Sequence, residues 1–283
     1  VARGFGGKKS LQFKTTEDVK IKRRRILIGL FALAVIVVAT ISIVVLSHEY
    51  NIFDKEEPTS EGEETTVQTV ELADYVTVMF SGVSTTKDKV FFISFVTLDT
   101  NNKKFTVDTI SPRLTYSGKS LSDIYADKGD EDLALAAGKV ANYSVDRYVV
   151  VTEKRFKAFM NALGSFEVDL KEKIDYSGSD FTLNLLSGPQ TLTGDKLFKY
   201  IRYSGVGSGE SARSLQAEVI GEIVSQKLSE ANTQKGEDLF GRLVNSSSSN
   251  ITILDFSKYS SLLEEISKSP RDVSVELHDL EGK

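Results

Sequence analysis

The chain has no cysteine, so neither a disulfide framework nor a thiolate zinc site is available to it. Histidine is almost as scarce. His48 and His278 are the only two, far apart in sequence, which argues against a Ser/His/Asp triad and against a histidine-rich metal site. A basic surface is missing outside one short stretch. Residues 1–25 hold nine Lys/Arg against two acids, and the rest of the chain holds 26 against 38. That acidic remainder does not suit a polyanion, so no nucleic-acid partner is expected. The 283 residues suffice for one large domain or two small ones with a sizeable core.

One stretch lacks charge altogether. Ile26 to Leu46 is an apolar run of 21 residues, which as a helix spans roughly 32 Å, about one hydrocarbon core. A cleaved signal peptide has a shorter apolar region ending in a small-residue site, and Val44-Val45-Leu46-Ser47-His48 is a poor one. The run abuts Lys22-Arg23-Arg24-Arg25. The expected organisation is a cytoplasmic basic tail at 1–25, a transmembrane signal anchor at 26–46, an acidic linker at 47–70 and an extracellular domain at 71–283. The linker carries Glu49, Asp54, Glu56, Glu57, Glu61, Glu63 and Glu64, with little to bury.

The remainder interleaves strand and helix patterns. Tyr75–Phe80 alternates, and Val90–Leu98 is apolar enough for a strand buried on both faces. A polar turn at 99–104 returns the chain as a strand over Phe105–Ile110. An Ala-rich helix is predicted at Leu133–Val140, a strand at Tyr148–Val151, and a helix at Glu153–Leu163 stopped by Gly164. Phe166–Leu170 and Phe181–Leu186 are strand candidates. Helices follow at Lys196–Tyr203, Ser211–Leu228, Glu237–Leu243 and Lys258–Ile266, with a strand or loop at Ile251–Leu254. An α/β domain of α-β-α layers is the expected class.

The segment from Gly188 to Ile220 concentrates the chemistry. A polar turn at Thr191–Gly194 opens a helix that Thr193 can cap. Asp195 lies in its first turn, where the dipole favours a carboxylate, and Leu197 and Ile201 share one face with Arg202 just beyond. Gly205-Val206-Gly207-Ser208-Gly209 is too glycine-rich for helix. Glu210 and Arg213 start the next helix. Two arginines and a carboxylate thus flank a loop, and planar guanidinium groups suit bidentate phosphate binding. Surface arginines beside a loop are the plainer interpretation of the same residues.

Gly188, Gln190, Leu192, Gly194, Leu197, Tyr200 and Arg202, followed by Glu210 and Arg213, resemble a motif of the LytR-CpsA-Psr (LCP) family. The family's pattern there is G-x-Q-x-L-x-G-x-x-A-L-x-Y-x-R-x-R, then D-x-x-R-x-x-R-Q. Asp146–Val151 is similar to the family strand D-x-Y-V-x-V. Ala162–Asp169 is similar to its ALGGVEVDV turn, and Ser111-Pro112-Arg113 stands where the family has I-P-R-D. The resemblance covers roughly Asp74 to Ile266. It implies a central mixed sheet and a membrane-anchored phosphotransferase at the bacterial plasma membrane, single-pass and type II. Such an enzyme moves a polyprenyl-pyrophosphate-linked glycopolymer to peptidoglycan.

By that resemblance Arg113, Arg202 and Arg213 are phosphate clamps, Glu210 contacts a metal or orients an arginine, and Lys87 and Lys89 add positive charge at the pyrophosphate. The family also implies Mg2+. This sequence departs from it where carboxylates are expected. Ser84 replaces the aspartate of G-V-D, the aspartate after P-R is Leu114, and Lys87–Phe91 offers no secure counterpart for the next, Asp88 being off register. Ser204 replaces an arginine, and Gln216-Ala217 replaces R-Q. Three functions therefore remain open: binding and transfer of the lipid-linked glycopolymer; a degenerate relative that binds lipid-linked glycan or modulates active relatives; or a sensor or structural anchor that uses the fold only for protein contacts, which the retained arginines disfavour. The topology is directly testable. Protease added outside intact cells is expected to remove everything after Ser47 and spare the tail. Full protection of the domain would contradict the orientation.

Overall fold

The computed structural model describes residues 72–86, 88–207, 209–269 and 272–278. The expected tail, anchor and linker, and Lys87, lie outside the described residues. Among the described residues no helix is long and apolar enough to cross a membrane.

The domain is laid out around a three-strand meander. β1 (Tyr75–Val83), β2 (Val90–Asp99) and β3 (Lys104–Ile110) pair antiparallel in sequence order. β2 is apolar on both sides because it is the strand that helices cover from both faces. The β2–β3 turn is made locally: Asp99 Oδ1 accepts from the backbone N–H groups of Asn101 and Asn102 at 3.1 and 2.9 Å, an Asx arrangement that favours a turn over continued strand.

A small ribbon, β4 (Thr115–Tyr116) and β5 (Lys119–Ser120), leads to α1 (Leu121–Lys128) and α2 (Asp130–Ala141). Ser120 caps α1 by accepting from Asp123 N. Gly129, at φ 89°, separates the two helices, a left-handed conformation that costs other residues more. β6 (Arg147–Thr152) then lies parallel to β1. α3 (Glu153–Leu163) follows, capped by Thr152. Two ribbons come next: β7 (Phe166–Leu170) with β10 (Gly188–Leu192), and β8 (Ile174–Ser177) with β9 (Thr182–Leu185).

The chain continues through α4 (Gly194–Ser204), α5 (Glu210–Lys227), a single turn α6 (Glu230–Thr233) and α7 (Gly236–Ser246). It closes with β11 (Ser248–Ser249), α8 (Ile253–Ser267) and β12 (Asp272–Val275), which joins β3 in parallel. The main sheet is mixed, in the order β11-β6-β1-β2-β3-β12.

Alternation along the strands divides the core into two layers. Phe92, Val107, Val149 and Val151 face α3, α4 and α5. Met79, Phe95, Ile110 and Val150 face α1 and α2. The expected α-β-α layering is therefore present. On the first face the rings of Phe80, Phe92, Phe156 and Phe198 form a block with centroids 5.3–6.3 Å apart. Gly82 makes room for it, since a Cβ there would lie 2.1 Å from the Phe92 ring.

Several elements differ from the sequence expectations. α1, β8, β10 and β12 have no counterpart among them. The polar turn expected at 191–194 is half strand, because Thr191 and Leu192 belong to β10. Thr193 does occupy the N-cap of α4, but its side chain makes no capping hydrogen bond. The final helix starts at Ile253, not Lys258, because Thr252 and Asp255 form a capping box there. The short ribbons have little local signal, as two-stranded pairs depend on tertiary packing.

The opposite face holds a buried charge. Asp108 on β3 has a side chain with no exposure. Arg213 Nη2 donates to its Oδ1 at 3.0 Å, and Thr109 N donates to the same oxygen at 2.6 Å. His278 N donates to Oδ2 at 3.0 Å, and Tyr143 O–H reaches it at 3.4 Å. Burial, and then the Asp108 charge, push the Tyr143 phenol above its ordinary range. Arg213 is further fixed by Nε donating to Thr109 O at 2.8 Å and Nη2 to His278 O at 3.0 Å.

A buried pair that loses one partner leaves an uncompensated charge, at a cost of about 3–5 kcal/mol. Arg213→Met is expected to lower folding stability by about that amount in urea titration, and Arg213→Met with Asp108→Leu to recover much of it. A loss below about 1 kcal/mol in the single variant, well short of that range, would show that Asp108 has other compensation.

A second ion pair makes stability acid-sensitive. Arg147 on β6 donates through Nε and Nη2 to the two oxygens of Asp255, at 2.8 and 2.6 Å. Those bonds, with the Thr252 cap, hold the Asp255 carboxyl down at about 2. Its folded-state value lies below the unfolded one, so its contribution is present above about pH 4. It is lost as pH falls toward 2. Arg147→Met is expected to flatten thermal stability against pH in that window. An unchanged pH profile would rule the pair out as the source.

Candidate phosphate-binding cleft

The cleft sits where β1 ends, β2 begins and the chain leaves β3. Two contiguous cavities, of about 540 and 380 Å3, share Phe91, Ser111, Pro112, Arg113, Gly205 and Gly207. A third, of about 320 Å3, shares Lys89, Phe91, Asp180 and Arg202 with the first. The walls therefore come from the start of β2, the segment after β3, the tip of the β8–β9 ribbon, the end of α4 and the start of α5.

Arg202 is the most constrained cation there. Its guanidinium lies over the Phe91 ring at 3.8 Å and over the Phe181 ring at 4.3 Å. Only 8% of the side chain is exposed, and Asp180 Oδ2 stands 3.9 Å away. Burial pulls its pKa below the ordinary arginine value, while Glu153 and Asp180 oppose that shift; an arginine remains charged under such conditions. Stacking covers the flat faces of a guanidinium and leaves its N–H groups at the edge of its own plane. Those N–H groups are the ones a phosphate uses.

Arg113 lies across the cavity on an exposed turn held by Arg113 N donating to Ser111 Oγ at 3.2 Å. Its guanidinium has no ion-pair partner among the described residues. Lys89 approaches Asp180 Oδ2 at 3.8 Å and lines the first and third cavities. Glu210 is the first residue of α5 and is exposed beside the second cavity. Gly209 makes no side-chain cap, so the first N–H groups of α5 have no capping side chain, an arrangement favourable to an anion.

The sequence-derived cations thus fall into different places. Arg113, Arg202 and Lys89 line the same cavity. Arg213 borders the second cavity, but its donors are committed to Asp108 and to two carbonyls. Lys87 is outside the described residues. Sequence reasoning missed Phe91 and Phe181, which hold Arg202, and Asp180 and Glu153, which set the charge around it. The only sequence signal for Asp180 is the Ser177-Gly178-Ser179 turn that precedes it.

The departures from the family pattern have local explanations. Ser84 Oγ donates to Asp88 Oδ1 at 2.5 Å and accepts from the N–H groups of Asp88 and Lys89. Thr86 Oγ1 donates to the same carboxylate at 2.6 Å. These hydroxyls, Ser84 first, hold the Asp88 carboxyl below its ordinary range. Ser204 is buried and donates to Ile201 O at 2.8 Å, beside Gln216 Nε2, which donates to the same carbonyl at 2.9 Å. Both side chains are buried.

The residues present do not fit a magnesium site. Mg2+ demands octahedral oxygen ligation with carboxylates free to serve it. Asp88 is occupied by its own turn, and Asp180 faces two cations. Burial, and then Asp195, raise the Glu153 carboxyl above its ordinary range. Among the described residues no group of three or more ligating side chains can hold a metal ion.

An apolar groove of about 380 Å3 lies on the same sheet face, toward the opposite strand ends, under α7 and α8. It shares no lining residue with the cleft.

No curated protein matches the chain by sequence. Solved structures do match its fold. A protein from Eubacterium siraeum superposes with a TM-score of 0.64 at 14% identity, over 80% of this chain and 95% of that one. TagV of B. subtilis gives 0.57 at 18% identity, over 71% and 84%. TagT bound to LI-WTA gives 0.52 at 15%, over 78% and 87%. The LytR_cpsA_psr family model matches residues 77–282, which takes in the whole cleft together with the Asp108 network, and the chain belongs to the LytR-CpsA-Psr family.

Proposed function

We propose that the chain is a cell-envelope protein that binds a polyprenyl-pyrophosphate-linked glycopolymer, with the pyrophosphate between Arg113 and Arg202. The observation that carries this reading is the cation arrangement: a stacked, nearly buried guanidinium and one without an ion-pair partner among the described residues line a single cavity with Lys89. Charge-assisted hydrogen bonds to phosphate are strongest where the donors are held in advance. Phe91, Phe181, Val206 and Pro112 supply apolar wall beside those donors, which suits the first isoprene units of the carrier. Among the structural neighbours, TagT is bound to LI-WTA and to LIIa-WTA, and family membership supports a ligand of that general kind here.

Transfer to peptidoglycan is the further step of this proposal. An acceptor hydroxyl attacks the phosphorus that carries the glycopolymer and releases its proton to water, the new phosphoester bond forms, and the bond to the bridging oxygen breaks so that polyprenyl phosphate leaves. The protein's contribution is to meet the growing negative charge on the leaving phosphate. Arg113 and Arg202 serve that role without a metal, since the carboxylates around them do not fit one. The setting is the outer face of the plasma membrane, reached through the anchor at 26–46.

The test is binding of a polyprenyl-pyrophosphate oligosaccharide to the purified full chain. Arg113→Ala with Arg202→Ala removes two charged donors, each worth about 1.5–3 kcal/mol, so affinity should fall by at least about a hundredfold. Arg113→Ala alone, at an exposed position, should cost about tenfold and guards against misfolding of the double variant. Unchanged affinity in folded Arg113→Ala and in the folded double variant would rule out a phosphate role.

A further inference from the structure

The tip of the β8–β9 ribbon places a carboxylate between two of the cleft's cations. Asp180 Oδ2 is 3.8 Å from Lys89 Nζ and 3.9 Å from Arg202 Nη2. Both distances exceed those of a charge-assisted hydrogen bond, so neither cation is locked to it. Ser179 Oγ donates to the other oxygen, Oδ1, at 3.3 Å. About half of the Asp180 side chain is exposed, whereas Arg202 is almost wholly covered. An exposed, loosely held partner is cheap to remove. A buried guanidinium left with no anion beside it is not.

The ribbon carries this carboxylate in its turn. Gly178 N donates to Phe181 O at 3.0 Å and closes the tip. Phe181 stacks on Arg202 from one side and packs against Tyr176, whose ring meets Tyr203 of α4 at 5.5 Å. Tyr176 and Phe181, on either side of the turn, are therefore fixed on α4, and only the turn between them, Gly178 to Asp180, is left outside that packing; Asp180 borders both the first and the third cavity.

We propose that Asp180 is a tethered anionic placeholder that occupies the phosphate position between Lys89 and Arg202 when no ligand is bound, and that an incoming pyrophosphate displaces it together with the ribbon tip. The proposal rests on the phosphate-binding reading of the cleft and adds regulation of that site. Together with Glu153, the placeholder balances the Arg202 charge in the free protein. It also makes every phosphate ligand compete with a carboxylate of the protein itself, which weak or singly charged anions do poorly.

The probe is inorganic pyrophosphate, titrated calorimetrically into the full chain, with hydrogen exchange followed over residues 177–182. Asp180→Asn should bind pyrophosphate about two- to fivefold more tightly than the wild type, the span of one modest charge pair, and Asp180→Glu should bind like the wild type. In the wild type, saturating pyrophosphate should speed exchange at the tip. Tighter binding by Asp180→Asn without faster exchange in the wild type would mean simple repulsion and would overturn the placeholder. Equal affinities in wild type and Asp180→Asn, with Arg113→Ala weakening both, would overturn it while leaving the cleft assignment intact. No pyrophosphate binding by any of these proteins, or binding indifferent to Arg113→Ala, would overturn both.

Discussion

A carboxylate with no access to water has to be neutralised where it stands, and much of this domain is arranged around that requirement at Asp108. The strand that carries it lies between the meander's central strand and β12. Its partners come from the first turns of α5, from the loop after α2 and from the segment after β12. Three separate parts of the chain are thereby registered against one strand. Apolar packing alone would tolerate small slips among them, because it is not directional. A fork of guanidinium N–H groups aimed at one carboxylate and two carbonyls does not.

The same constraint decides which cations are left for a ligand. The start of α5 is the part of the domain that borders both the Asp108 network and the cleft. Arg213 is spent on the first, and this fixes where Gly209 and Glu210 sit in the second. Arg202 is held by a different device, two aromatic faces, which fix the plane of the guanidinium while leaving its edge available. Arg113 is held by neither. The cleft therefore combines a scaffold arginine, an oriented arginine and a free one, and their shared residue type conceals three physical situations.

Those distinctions explain what is legible in the sequence. α3 and β7 can be read with the bounds the structure gives them, because Gly164 stops one and apolar alternation marks the other. β2 is recognisable as doubly covered from composition alone. The layering follows from the interleaving of strand and helix patterns. β8 and β10, the partners that complete the two ribbons, are not legible, since they are short and carry few apolar residues to mark a buried face. Motif spacing points to Arg113 and Arg202, and both line the cleft. Spacing gives no hint that Arg213 meets an aspartate more than a hundred positions earlier. Nor can it show that Phe91 and Phe181, far apart in the chain, enclose Arg202 between them. Pairings of that kind are set by topology and have no local signature.

The parallel pairing of β12 with β3 has a consequence for the order in which the molecule is made. β3 is complete once residue 110 has been synthesised, yet its outer edge and the Asp108 carboxylate wait for residues 272–278. During that interval the nascent chain carries an open strand edge next to an incompletely satisfied charge, and an open edge favours association with whatever strand is nearby. A strand added at that edge would bury Asp108 at a cost unless it also brought donors to the carboxylate, as residues 272–278 do.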